Sequence, residues 1–153
     1  MTQKEFINHV LINEIGDVVD HHKWLSFILV CSGIEFLGGC LDQEEKNLNA
    51  ENRSAKRFND AILALFPAKY SPFIKKGKDG LYAQLRCGMN HVALPGLQIA
   101  LSERNSNLEN LSVWNDRLII IAEDFYADFR NACFTIIKMI DEKRVPETFE
   151  IRC

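Results

Sequence analysis

Apolar residues recur along most of this chain at helical spacing, and the breaks between the runs divide it into elements. Thr2 and Glu5 form a capping-box pattern, and Ile7, Val10, Leu11, Ile15 and Val18 then return every three or four residues. That spacing predicts an amphipathic helix to about Val19. Asp20, His21 and His22 read as a turn. The run from Trp24 to Leu41 is apolar on every side, with Glu35 as its single charge and Gly33, Gly38 and Gly39 inside it. Glycine weakens a helix by about 1 kcal/mol relative to alanine, so these positions predict close packing against a neighbour. The polar stretch Asp42 to Asn49 reads as a loop. A third helix runs to Phe66, with Phe58, Ala61, Ile62 and Leu65 on one stripe, and Pro67 stops it.

The segment PAKYSPFIKKGKDG is an irregular connector. A fourth helix begins near Asp79, carries Leu81, Leu85, Met89 and Val92 one turn apart, and is ended by Pro95-Gly96. The period then changes to two: Leu97, Ile99 and Leu101 alternate with Gln98, Ala100 and Ser102. Asn105-Ser106-Asn107 makes a turn. Further strands are expected at Leu111 to Trp114 and, after Asn115-Asp116, at Leu118 to Ile121. The last helix covers about Glu123 to Lys143, with Phe125, Phe129, Ala132, Cys133, Ile136 and Ile140 inward; Pro146 follows, and the tail to Cys153 is unassigned. The expected fold is mainly α, an up-and-down bundle of about five helices with a small β-hairpin or meander before the last helix.

Length and composition narrow this picture. The 153 residues fit a single domain, 1–153, able to bury roughly 70% of its unfolded surface. Apolar residues at 47% and charged ones at 25% are an ordinary globular mixture. With a net charge of −3, any nucleic-acid site must be a local patch rather than bulk charge. Five cysteines without a CxxC pair argue against a disulfide framework or a zinc site and suit a reducing, cytoplasmic setting. The N-terminus MTQKEFINHV lacks the pattern of a secretory signal. Trp24 to Leu41 approaches the length of a membrane span, but a central carboxylate such as Glu35 costs about 2.5–3.5 kcal/mol there, so a buried core helix is expected and no membrane association.

The candidate chemistry lies in LRCGMNH, Leu85 to His91. On a regular helix Arg86 and His91 point about 140° apart, flanking a core face of Leu81, Leu85, Met89 and Val92. Ala83, Cys87 and Asn90 fall between them on the side away from the core, a shallow strip that a phosphate or another helix could approach. A guanidinium binds two phosphate oxygens at once, and an imidazole carries protons near neutral pH. Together they could activate a ribose 2′-hydroxyl and stabilise charge at phosphorus with no metal or cofactor. The structural alternative is a surface arginine and a cation near a helix C-terminus. Glu35, alone in an apolar helix, needs a partner: it either pairs with Arg86 and orients it or faces solvent at the bundle's edge. Lys69, Lys75, Lys76 and Lys78, interleaved with Tyr70 and Phe73, suit single-stranded nucleic acid or form a solvated loop. His9, His21 and His22 match no metal spacing.

The Arg-x-x-x-x-His pattern late in a bundle helix resembles the signature of the HEPN superfamily, helical domains that include metal-independent RNases of toxin–antitoxin and antiphage systems. Tyr82, Leu85, Arg86, Cys87, Gly88 and His91 stand at the matching positions, and AKRFNDAILALFP and IIIAEDFYADFRNA are similar in general character. The resemblance implies a homodimer with Arg86 and His91 working in a groove at its interface, with RNA or a nucleotide as ligand and an antitoxin-type protein as a partner; from the residues themselves, Glu35, Cys87 and Asn90 would orient or support that pair. Cys87 departs from the polar residue, often Asn, that nuclease members usually carry there. A non-catalytic module that dimerises or binds a nucleotide, RNA or a partner therefore stands beside the ribonuclease.

Overall fold

The computed structural model describes residues 1–48 and 50–147; Asn49 and the tail to Cys153 lie outside the described residues. Helix α1 comprises three contiguous pieces, Gln3–Phe6, a π-helical stretch Ile7–Glu14, and Ile15–His21. The Thr2–Glu5 capping box is present in both directions. Widening the turn shifts the buried stripe off the regular period: Ile7, Leu11, Ile12, Ile15 and Val19 are buried, while Val10 and Val18 are half-buried. The Tyr126 hydroxyl donates to the Ile12 carbonyl inside this stretch.

Helix α2, Lys23–Leu41, is the centre of the fold, packed against α1, against α3 (Ser54–Leu65) and against α5 (Ala122–Asp141). By length and composition alone it could cross a membrane; here Phe27, Val30, Cys31, Ile34 and Leu37 are core residues. Its glycines are contact points, as their spacing predicts. A Cβ at Gly38 would collide with the Arg57 backbone of α3, and one at Gly33 with the Phe129 ring of α5. A 3-10 segment, Ala68–Phe73, leads towards helix α4, a π-helical turn Tyr82–Cys87 continuing as Gly88–Val92. Ala93 at φ 55° closes α4.

Three strands precede α5: β1 (Ile99–Ser102), β2 (Val113–Trp114) and β3 (Arg117–Ile121), in the order β1-β3-β2. β2 and β3 form the expected hairpin, with Asn115 and Asp116 both at positive φ (48° and 59°), the backbone a two-residue hairpin turn requires. β1 pairs with β3 in parallel, Ile99 opposite Leu118, so the sheet is not a meander. Two expectations of burial are corrected. Leu97 is 85% and Val92 66% exposed, because β1 starts after Leu97 and α4 ends at Val92. On α5 the whole expected stripe, Phe125, Phe129, Ala132, Cys133, Ile136 and Ile140, is buried.

Candidate functional site

Glu35 and Arg86 meet. Both Nε (2.9 Å) and Nη2 (2.7 Å) of Arg86 donate to Oε2 of Glu35, with the Arg86 side chain 18% and that of Glu35 21% exposed. One turn along each helix, Asn90 Nδ2 donates to Ser32 Oγ at 3.1 Å. Ser32 and Glu35 lie on one face of α2, Arg86 and Asn90 on one face of α4, and their crossed order makes the helices antiparallel. This corrects the placing of Asn90 away from the core: it faces α2, and its Oδ1 is buried without a partner among the described residues. The π-helical turn that carries Arg86 breaks the regular 100° step on which that placing rested.

Arg86 lines an open cleft of about 270 Å³ with Ser32, Glu35, Phe36, Leu48 and Arg57. Its guanidinium also lies 5.6 Å from the ring centroid of Tyr82, within cation–π range. Burial pushes the Tyr82 phenol above its usual range, partly offset by the nearby Arg86 charge. Nη1 of Arg86 has no partner among the described residues, so one edge of the guanidinium stays available for an anion.

His91 sits on the last turn of α4, exposed and without a hydrogen-bond partner among the described residues. It is not among the residues that line the Arg86 cleft. Within one chain, then, Arg86, Glu35, Asn90 and Ser32 form one cluster, and the imidazole stands free at its margin. Exposed apolar residues follow His91 on the chain, Val92 and Leu94 (58%), and Trp24 (45%) of α2 is tied there by its Nε1 donating to the Ala93 carbonyl at 2.9 Å; Leu25 (52%) and Leu29 (38%) are exposed further along α2.

The four lysines separate. Lys69 pairs with Asp128 at 3.4 Å and lies over Tyr70. Lys75 and Lys76 border a second cavity, shared with Tyr82, and Lys78 lies on the same loop outside that lining. Cys87 is half-buried, whereas Cys31, Cys40 and Cys133 are buried and burial pushes their thiols up, Cys40 to about 12. Iodoacetamide applied to the native protein is expected to label Cys87 well before these three, with peptide mapping as the readout; equal labelling would contradict this packing.

Sequence reasoning missed Arg57 and Asp42. Arg57 Nε donates to Asp42 Oδ2 at 3.0 Å, and its terminal nitrogens donate to the carbonyls of Glu45, Asn47 and Leu48. The pair is almost fully buried and hangs the α2–α3 loop, a wall of the cleft, on one side chain. The signal was Gly38: a helix face without a side chain admits a neighbour's backbone and buries whatever that turn carries.

The chain matches no protein-family model, no curated protein and no solved structure.

Proposed function

We propose that this protein is a HEPN-like, metal-independent endoribonuclease that works as a homodimer, with Arg86 as phosphate clamp and His91 as proton carrier. The observation that carries the reading is the Glu35–Arg86 pair: a carboxylate grips two nitrogens of the guanidinium, fixes its plane and leaves Nη1 unbonded. A guanidinium held in this way loses little freedom on meeting a phosphate, and its charge favours the dianionic phosphorane-like transition state over the monoanionic diester.

In the proposed reaction His91 takes the proton of a ribose 2′-hydroxyl. The oxygen attacks the adjacent phosphorus, and the bond to the 5′-oxygen of the next nucleotide breaks. That oxygen takes a proton from water as it leaves, and the His91 imidazolium returns its proton to the hydroxide so formed, giving a 2′,3′-cyclic phosphate and a 5′-hydroxyl. A free imidazole on a terminal helical turn suits proton transfer in both directions. A second chain covering the apolar margin of Trp24, Val92 and Leu94 would enclose His91 and deepen the cleft.

That same apolar margin favours a second reading, a non-catalytic module in which the face serves only for dimerisation or for a protein partner. Incubation of the purified protein with RNA in EDTA separates the two. Cleavage with cyclic-phosphate ends is expected. Intact RNA after incubation with a folded dimer would leave the second reading.

A further inference from the structure

A cavity of about 610 Å³ opens between α3 and the loop that leads to α4. Its charge is uneven. Lys56 is tied to Asp60 at 2.7 Å, whereas Lys75 and Lys76 have no ion-pair partner among the described residues, so two unpaired positive charges stand at the rim of the cavity in a chain of net charge −3; Lys75 also borders the neighbouring cavity that holds Asp79 and Asp116. The loop that carries them is drawn tight: the Lys75 carbonyl lies where a Cβ on Gly80 would fall, and Gly77 turns the chain at φ 81°.

Other lining residues are of three kinds. Leu63 and Ile74 are apolar; Tyr82 is an aromatic wall; Asn59 brings a carboxamide whose Oδ1 is buried and unpartnered among the described residues, which leaves its Nδ2 as the group that can donate to a ligand. A simple phosphate site would need only the charge. A flat apolar surface, an aromatic ring, a free amide and a pair of cations in a space of ligand size match the parts of a nucleotide: a base to pack and hydrogen-bond, and a phosphate to neutralise. Tyr82 also joins this cavity to the first site, since the Arg86 guanidinium lies over its ring.

We infer that this cavity is a subsite for one nucleotide of single-stranded RNA, its base against Tyr82 and Asn59 and its phosphate on Lys75 and Lys76, beside the phosphodiester that Arg86 clamps. The subsite rests on the RNA reading of the Arg86 site but not on catalysis, and its test is made without cleavage.

Binding of a short, 5′-labelled single-stranded RNA to the full chain carrying His91→Ala is followed by fluorescence anisotropy across a range of salt. Lys75→Gln with Lys76→Gln, both exposed positions, is expected to weaken binding about tenfold or more and to lower the salt slope by about 0.7, for the one phosphate charge no longer neutralised. Asn59→Ala is expected to weaken binding about fivefold with little change of that slope. Lys78→Gln, on the same loop but outside the lining, should cost less than either lysine of the pair. An equal loss at Lys78 would show that loop charge alone attracts the RNA and overturns the subsite, as would absence of RNA binding or cavity variants that bind like the parent. RNA bound through the cavity but never cleaved by the unsubstituted protein would keep the subsite and remove the nuclease. Cleavage with indifferent cavity variants would do the reverse.

Discussion

Asp42→Ala is expected to destabilise this protein by about 3–5 kcal/mol, the usual cost of removing one partner from a buried ion pair. The side chains of Arg57 and Asp42 are 3% and 2% exposed, so the guanidinium left behind can recover little hydration. Domains of this kind have roughly 5–15 kcal/mol in all, so the variant loses a large share of its stability, and its melting temperature should fall by about 6–20 °C. Denaturant unfolding with an unchanged slope would give the free energy directly. A loss below about 1 kcal/mol would show that the pair is not buried as described. Asp42→Asn, which keeps an acceptor for Arg57 and the loop amides, is expected to cost less.

The same pair sets an acid limit. Burial acts to raise the Asp42 carboxyl, but hydrogen bonds from Arg57 and from the amides of Glu45 and Glu44 outweigh it and hold the group below the usual carboxylate range. A carboxyl depressed in the folded state contributes stability above its unfolded pKa of about 3.9 and loses it as the pH falls through the lower folded value. The contribution is therefore full at neutral pH, and the variant should lose most of the parent's stability change in that acid range.

What could be read from the sequence divides by mechanism. The long helices, the α5 stripe and the hairpin at Asn115-Asp116 follow from period and turn chemistry, which are local. The Glu35–Arg86 pair was legible for a different reason: a lone carboxylate in an apolar helix demands a partner, and few cations were placed to supply one. Asn90 was misplaced because a π-helical turn looks like an ordinary helix in a single sequence, yet it changes which side chains share a face. The parallel pairing of β1 with β3 was hidden as well, since alternation marks a strand and says nothing of its neighbour. Arg57 in SAKRFNDAILAL reads as a solvent-facing charge; only the close approach at Gly38 puts it inside.

His91→Ala is expected to reduce RNA cleavage by about 10²- to 10⁴-fold, the range over which a positioned acid–base group contributes. The effect should fall on kcat with KM nearly unchanged, because proton transfer is made in the transition state and not on binding. Stability is the control that separates this from a structural role. His91 is exposed, and with no hydrogen-bond partner among the described residues its removal should change unfolding free energy by no more than about 1 kcal/mol, the most a cation gains at an exposed helix C-terminus. If His91 served only as such a cap, this small stability change would be the whole phenotype. Cleavage by the alanine variant at the parent's rate would remove His91 from the mechanism and leave Arg86, held by Glu35, as the one assigned group, with the proton carried by water or another side chain.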